Sequence, residues 1–291
     1  MLAAIAETPG PIDTIVIRDI PEPGELRAGE VVVCMLVSTF NPSDAVTVSG
    51  AYASRTTFPL VPGFEGVGII HRIGPGVPAS ALGQRVLPIG SPGAWQEYKC
   101  IDYSWCIPVP DDIPTDVACF AYINPLTASL MVERFCHGVQ SALVDAATTT
   151  IAGHLKTLLE QRGVETVMVG RTWGTVGVDK QFDVSFDCVG GEMGRRVARA
   201  VKLDGVVVHY GLLSGEPLGE TGLRVEMFRL RDVVHACPRS ELPELFVGVF
   251  AQLRAGRLRS RVAREVDLRD VPVALREYQP REGKLLIRIG D

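Results

Sequence analysis

The sequence lacks any long apolar run. None of its hydrophobic stretches approaches the roughly 20 residues that a membrane-spanning helix needs. The first residues are apolar, but they have no basic flank and soon meet Pro9-Gly-Pro11, so they do not resemble a signal peptide. We therefore expect a cytoplasmic protein that does not act in a membrane.

Cysteine pairs with the spacing of a metal site or a disulfide framework are also missing. The seven cysteines form no C-x-x-C pair and no Cys/His ligand spacing. Reduced, mostly buried thiols are the interpretation that this scatter favours. We expect no metal site.

The sequence also lacks an excess of positive charge. The formal net charge is −5, and the arginines are scattered rather than gathered into a basic run. This balance gives no electrostatic reason to expect nucleic acid or an anionic membrane as a partner. With 291 residues, 46% of them hydrophobic, the chain is long enough for two domains with separate cores.

The pattern of apolar residues changes near residue 120. Before it, short β-branched runs at residues 14–17, 30–34, 67–70 and 84–87 are separated by Gly and Pro, which is typical of an all-β region. After it, apolar strands alternate with helical stretches as in a βαβ array. The predicted elements are strands at 141–145, 166–169, 183–186 and 205–209 and a helix at 152–162.

The last forty residues return to β character. Strand patterns at 262–266 and 284–288 flank a helical stretch at 268–276, so we expect the C-terminus to rejoin the first domain. The whole pattern predicts an α/β protein with a distorted β-barrel domain of residues 1–121 and 260–291. Residues 122–259 would form a parallel-sheet, nucleotide-binding domain.

The turn after the first parallel strand has no G-x-G-x-x-G motif. It reads Ala-Ala-Thr-Thr-Thr-Ile-Ala-Gly over residues 146–153, with small side chains that let a helix N-terminus approach a pyrophosphate. On the residues alone, a helix N-cap is the simpler interpretation and a cofactor loop is the alternative. The candidate cofactor contacts in this turn are Ala147, Thr148, Thr149, Thr150 and Ile151.

The second parallel strand is followed by Gly170-Arg171. NAD-specific sites hold the ribose with an acidic residue at this point, whereas a guanidinium suits a 2′-phosphate. If a dinucleotide binds, we expect NADPH; a surface arginine is the alternative.

Residues 58–68 resemble the P-x-x-x-G-x-E-x-x-G signature of the medium-chain dehydrogenase/reductase superfamily. Further segments occur in the order expected of its zinc-independent reductases, and the resemblance covers nearly the whole chain. It is greatest to 2-enoyl thioester reductases (trans-2-enoyl-CoA or enoyl-ACP reductases), then to quinone oxidoreductases. These segments are Asn-Pro-Ser-Asp at 41–44, Val-Ser-Gly-Ala-Tyr at 48–52, Gly-Gln-Arg-Val at 83–86, Gly-Ala-Trp-Gln-Glu at 93–97, Asn-Pro-Leu-Thr-Ala at 124–128, Cys-Val-Gly-Gly at 188–191, Tyr-Gly-Leu-Leu-Ser at 210–214 and Gly-Lys-Leu-Leu at 283–286.

One position of the signature excludes the zinc chemistry of the related alcohol dehydrogenases. Those enzymes carry a zinc-binding histidine before the glutamate, whereas this chain has Phe64, whose ring cannot ligate a metal. The cysteine that they carry near Pro42 or Ser43 and their four-cysteine lobe are also missing.

The resemblance implies a fold, a cofactor and a set of site residues. It implies a GroES-like barrel domain and a Rossmann-type domain, with the active site in the cleft between them. The family's turn, similar to Ala-Ala-Asn-Ser-Ala-Val-Gly, lies over residues 146–152 without a gap, which favours the cofactor loop. The further cofactor contacts that it implies are Thr127, Arg171, Cys188, Val189, Tyr210, Gly211, Leu212 and Lys284.

Tyr52 and Asn41 are the implied catalytic residues. A conjugated enoyl thioester has an electrophilic β-carbon, so hydride transfer needs orientation and a hydrogen bond to the developing enolate. Tyr52 matches the tyrosine that provides this bond or the proton in the enoyl reductases; a turn tyrosine beside Gly50 is the alternative. Asn41 would face the nicotinamide or the substrate, or it is a turn former before Pro42.

Two segments are shorter than in the family. Only residues 172–182 separate Arg171 from Asp183, where a helix, an edge strand and a second helix are usual. Eleven residues reach at most about 40 Å, so we expect one edge strand to be missing. Trp173 would cover the adenine or the exposed sheet edge. The second shortening, at residues 235–239, leaves the substrate type open.

The sequence therefore predicts an NADPH-dependent reductase of a conjugated C=C bond, acting on a small-molecule or acyl-thioester substrate as a homodimer. Three alternatives stay open: a quinone oxidoreductase, a specialised biosynthetic tailoring reductase, and a non-catalytic member of the superfamily.

Overall fold

A computed structural model describes residues 1–52, 54, 56–173, 181–278 and 283–290 of the chain. The chain forms two compact units: unit 1 comprises Met1–Ile123 and Val234–Asp291, and unit 2 comprises Asn124–Val233. The strands are β1 (Leu2–Ile5), β2 (Val16–Asp19), β3 (Glu30–Thr39), β4 (Gly66–Ile73), β5 (Arg85–Pro88), β6 (Tyr98–Asp102), β7 (Cys106–Pro108), β8 (Ser141–Val144), β9 (Glu165–Met168), β10 (Phe182–Asp187), β11 (Val201–His209), β12 (Arg224–Met227), β13 (Val262–Asp267) and β14 (Lys284–Arg288). The α-helices are α1 (Pro42–Val48), α2 (Thr115–Ala118), α3 (Asn124–Phe135), α4 (Thr150–Gln161), α5 (Gly191–Arg199), α6 (Leu230–Ala236), α7 (Glu244–Arg254) and α8 (Val271–Glu277).

Unit 1 is built around β3. This ten-residue strand is apolar almost throughout, because it lies inside the sheet of order β13-β14-β3-β4-β5-β7, with β6 also paired to it. The strand β14 pairs antiparallel with β3, with Ile287 opposite Ser38, so the two chain segments of unit 1 contribute to one sheet. Trp95 is fully buried in the core beside it and donates from Nε1 to the Thr39 carbonyl oxygen at 3.2 Å.

Unit 2 is a five-stranded parallel sheet of order β12-β11-β10-β8-β9. Its central strands β8 and β10 are apolar without alternation, since parallel sheets are covered on both faces. The carboxyl ends of β8, β10 and β11 lie side by side, so the loops that follow these strands meet at one edge of the sheet.

The predicted α/β class with a GroES-like unit and a Rossmann-type sheet is confirmed. Within the described part of unit 2, β9 and β12 are the two edge strands, and the loss of one edge strand relative to the family stays a prediction. Residues 174–180 of the shortened link lie outside the described residues. Trp173 packs on the core cluster that contains Leu143 and Phe182, which favours its role at the sheet edge.

Two details differ from the sequence pattern. The strand predicted at 14–17 begins at Val16, because Thr14 ends a short 3-10 turn in which its hydroxyl donates to the Pro11 carbonyl oxygen at 2.7 Å. The predicted domain division placed residues 234–259 in the second domain, whereas the structure places them in unit 1. There Phe246 of α7 is buried, with its ring centroid 6.2 Å from that of Tyr122.

No helix in the described ranges is long and apolar enough to cross a membrane.

Candidate active site

The turn between β8 and α4 is tight and lined by small residues. Ala146 has φ +46°, a left-handed conformation that a non-glycine residue adopts rarely, and the Ala147 N–H donates to the Val169 carbonyl oxygen at 3.0 Å. Thr149 is the N-cap of α4, and its hydroxyl accepts from the Ala152 N–H at 3.3 Å. The N-cap interpretation of the threonine turn is therefore correct for Thr149.

This N-cap is compatible with a dinucleotide site. The first N–H groups of a helix have no intrahelical acceptor, and they carry a partial positive charge. Thr148 is exposed, while Thr150 and Ile151 are half-buried at the start of the twelve-residue α4. Alanine and threonine side chains here leave room for a phosphate group, so the turn fits a pyrophosphate.

Two further loops reach the same edge of the sheet. Cys188 is buried, and the Val189 carbonyl oxygen accepts from the Ser214 hydroxyl at 2.6 Å. Gly211 lies so close to the preceding loop that a Cβ on it would be 2.9 Å from the Cys188 carbonyl oxygen. Leu212 is half exposed beside it. The structure thus brings the predicted cofactor contacts at 147–151, 188–189 and 210–212 to one sheet edge.

Arg171 and Thr127 lie elsewhere in unit 2. Arg171 is exposed in the turn after β9, the strand next to β8. Thr127 is buried in α3, the helix that packs against α4.

A buried cluster of three ionisable side chains lies beneath these loops. Asp145 follows β8, Asp187 ends β10 and His209 ends β11; they are 0%, 0% and 5% exposed. His209 Nδ1 lies 2.6 Å from Asp187 Oδ2, and because the carboxylate accepts, the ring N–H donates. This cluster was not predicted from the sequence. Its only signal there was an acidic residue at the end of each of two apolar strands.

The candidate site residues of unit 1 form a second buried cluster. Asn41 caps α1 and is fully buried, with Nδ2 donating to Glu65 Oε2 at 2.8 Å. Lys284 Nζ, at the start of β14, donates to Asn41 Oδ1. Asp44 Oδ2 accepts from the Asn41 N–H at 2.7 Å. The structure therefore brings Asn41 and Lys284 together and adds Asp44 and Glu65.

Burial controls the ionisation of this cluster. It raises the pKa of Asp44 to about 7 and raises the pKa of Glu65, although Lys284 and several hydrogen bonds oppose the change at Glu65. It lowers the pKa of Lys284, against the attraction of Glu65 and Asp44.

Phe64 and Tyr52 lie close in sequence to this cluster. The Phe64 N–H donates to Asp44 Oδ1 at 3.2 Å, and its ring occupies the signature position at which the zinc enzymes have histidine. Tyr52 lies in the turn that follows α1 and is 37% exposed. The described residues contain no group of three His, Cys, Asp or Glu side chains that could hold a metal ion.

Residues 235–239, at the end of α6 and just after it, contact Gly90 and Trp105. The Arg239 guanidinium carbon lies 3.4 Å from the centre of the Trp105 ring, and His235 Nε2 donates to the Gly90 carbonyl oxygen at 3.1 Å. These contacts hold the segment that the sequence marked as shorter than in its relatives.

Comparisons with known proteins agree with this architecture. Residues 27–111 match the alcohol dehydrogenase GroES-like domain. The chain is 28% identical over 229 residues to the mitochondrial enoyl-(acyl-carrier-protein) reductase of Arabidopsis thaliana, a region that covers 67% of this chain. The alignment covers 61% of that plant protein, so the chain matches about three fifths of its relative's length.

Two solved structures share the fold over the full chain. A Bacillus thuringiensis protein provisionally named as an NADPH:quinone reductase gives a TM-score of 0.89 at 26% identity, covering 99% of both chains. The Escherichia coli quinone oxidoreductase, solved with NADPH, gives 0.85 at 19% identity and covers 99% of this chain and 100% of its own. The second similarity, at 19% identity, concerns the fold alone.

A GroES-like unit joined to a Rossmann-type unit defines a class of two-unit oxidoreductase folds. Within that class, the comparisons support the medium-chain dehydrogenase/reductase superfamily: the chain is similar in sequence to enoyl reductases and in structure to quinone oxidoreductases.

Proposed function

We propose that this protein reduces a conjugated C=C bond, that of an enoyl thioester, with hydride from NADPH and without zinc. The observation that carries the proposal is the edge of the parallel sheet in unit 2, where three loops with small residues meet at the N-terminus of α4. The relative from Arabidopsis thaliana supports the enoyl thioester as substrate. In this proposal unit 2 is the nucleotide-binding domain and unit 1 the catalytic domain.

The residues of unit 2 supply what NADPH needs. In the turn at residues 147–151, Thr148, Thr150 and Ile151 would offer N–H groups to the pyrophosphate, while the Ala147 and Thr149 N–H groups hold the turn itself. Arg171 would offer its guanidinium to the 2′-phosphate. Loops 188–189 and 210–212 would line the rest of the dinucleotide, with Thr127 at its nicotinamide end. Lys284 stays a proposed cofactor contact. When bound, NADPH supplies the hydride that adds to the β-carbon of the substrate.

The residues of unit 1 would act on the substrate oxygen. We assign Tyr52 to the hydrogen bond with the developing enolate, or to the proton for the α-carbon, because a phenol is a suitable donor to an enolate. The Asn41 amide is oriented by Lys284 on its oxygen and Glu65 on its nitrogen, and we propose that it faces the nicotinamide or the substrate. Phe64 in place of a metal-binding histidine supports chemistry without zinc.

A panel of substrates tests the proposal. NADPH oxidation is measured with enoyl thioesters of several chain lengths and with quinones, under identical conditions. We expect turnover of at least one enoyl thioester. The quinone oxidoreductase alternative, which the similarity to the Bacillus thuringiensis structure favours, requires activity on quinones only.

Tyr52→Phe removes the proposed donor and keeps the ring. We expect kcat to fall about 10- to 100-fold with little change in the Kd for NADPH, because the hydrogen bond forms only as the enolate develops. Steady-state kinetics and a binding titration measure the two quantities. An unchanged kcat would remove Tyr52 from the mechanism.

Arg171→Ala tests the 2′-phosphate contact. Charge-assisted hydrogen bonds contribute about 1.5–3 kcal/mol, so we expect at least a tenfold weaker Kd for NADPH and little effect on NADH. Arg199→Ala removes an exposed arginine elsewhere in unit 2 and should leave both Kd values unchanged. Equal weakening of NADPH and NADH by Arg171→Ala would reject the assignment.

The homodimer remains part of the proposal. β12 is an edge strand of the unit 2 sheet, and its apolar side chains Val225 and Met227 are 40% and 52% exposed. An unpaired strand edge with apolar side chains is suited to association with a second copy. Sedimentation velocity should give a mass of about two chains, and a monomer at micromolar concentration would contradict the homodimer.

A further inference from the structure

The buried cluster of Asp145, Asp187 and His209 joins the three loops of the candidate cofactor site. Asp187 Oδ1 accepts from the N–H groups of Val189 and Gly190, at 3.0 and 2.9 Å, and Oδ2 accepts from His209. Asp145 Oδ1 accepts from the Cys188 N–H at 3.0 Å. The loops after β8, β10 and β11 are therefore tied to one pair of carboxyl groups.

The pair has to share a proton. Asp145 Oδ2 is buried and has no N–H or O–H partner in the described part of the chain. The side chains that hydrogen-bond to the Asp145 carboxyl group are the Asp187 carboxylate and the Cys188 thiol, a weak donor. Two carboxylates in contact away from water cannot both be ionised without a large cost. A proton on Asp145 Oδ2 turns this contact into a hydrogen bond to Asp187 and satisfies both oxygens of Asp145.

The pKa values of the two carboxyl groups also place the shared proton on Asp145. Burial, followed by the Asp187 carboxylate, raises the pKa of Asp145 to about 8. Burial also raises the pKa of Asp187, but hydrogen bonds from His209, Asp145 and Gly190 outweigh it, so its pKa lies below the usual value. The proton therefore resides on Asp145, and Asp187 keeps its charge.

The other ionisable groups around the pair leave this balance in place. Burial raises the pKa of the Cys188 thiol and of the Tyr210 phenol well above their ordinary values, so both are neutral. Glu216, in the loop after β11, approaches the start of α5, because a Cβ on Gly191 would be 3.0 Å from its Oε2. The ionisable residue buried in α4 is His154. His209 faces Asp187 directly.

We propose that Asp145 is a positioning residue of the dinucleotide site: it stays protonated at neutral pH, donates to Asp187 and thereby limits the charge beneath the cofactor turn. The proposal rests on the proposed function, because it requires unit 2 to bind NADPH. Loss of this proton adds a second negative charge beneath the loops. It also breaks the hydrogen bond from Asp145 to Asp187. Dinucleotide affinity then falls as the pH rises through the range in which Asp145 ionises.

Asp145→Asn is the matched test, because the amide keeps the size of the acid, accepts from Cys188 and donates to Asp187 but cannot ionise. The Kd for NADPH is measured between pH 7 and pH 9.5 by fluorescence titration. We expect the wild-type Kd to rise about tenfold over this range. The Kd of Asp145→Asn should change by less than about twofold. Asp204→Asn, an exposed acid of the same unit, should behave as wild type.

A second readout does not require cofactor. Asp145 binds its proton more tightly in the folded than in the unfolded chain, so folding takes up a proton between about pH 4 and pH 8. The stability of the wild type relative to Asp145→Asn should therefore decline as pH rises through this window and level off above it. Thermal unfolding of the two proteins across this pH range measures the difference.

The outcomes separate this proposal from the proposed function. If the wild type binds NADPH with the same affinity at pH 7 and pH 9.5, or if Asp145→Asn shows the wild-type decline, the positioning role is overturned while the reductase proposal stands. A wild type that binds no NADPH at any pH overturns the proposed function. A stability difference that does not change between pH 5 and pH 9 overturns the protonated state of Asp145.

Discussion

A negative charge that is buried must be paired or neutralised, and the buried cluster of each unit is arranged around this constraint. In unit 1 the fully buried Glu65 is held by Asn41 and faces Lys284. In unit 2 the fully buried Asp187 is held by His209. Each carboxylate also holds a segment of backbone in place. Glu65 accepts from the Ile123 N–H at 2.7 Å, and Asp187 accepts from the Gly190 N–H just before α5.

These pairs determine how the loops can function. A loop that binds a cofactor has to stay open to solvent, so it contributes little apolar burial of its own. The loops after β8, β10 and β11 are instead held from below by hydrogen bonds to carboxyl groups. This arrangement leaves the N–H groups at the start of α4 available and the turn free of bulky side chains. In unit 1 the same principle fixes the Asn41 amide, with Lys284 on its oxygen and Glu65 on its nitrogen.

The sequence was sufficient to predict the architecture because the relevant signals are local. Continuous apolar runs mark parallel strands, and the predicted strand at 183–186 lies within the observed β10. The Asn-Pro-Ser-Asp segment predicted Asn41 as a site residue or a turn former. The structure shows that Asn41 is the N-cap of α1, with proline at the first helical position, and its role in a reaction stays a prediction.

The buried clusters were harder to predict from the sequence than the strands were. Asp145, Asp187 and His209 are 22 or more residues apart along the chain, and they meet only because β8, β10 and β11 are neighbours in a particular register. Periodicity identifies strands but not the register between them. Lys284 was predicted as a cofactor contact; its bond to Asn41 depends on the pairing of β14 with β3, which joins segments about 245 residues apart.

The account depends on the binding of NADPH to unit 2. Equilibrium titration of the purified chain with NADPH, followed by the fluorescence of the protein and the nicotinamide, tests it most directly. The account predicts a saturable change with a Kd at or below the micromolar range, and weaker binding of NADH. No fluorescence change at millimolar NADPH would contradict it and would favour a non-catalytic member of the superfamily.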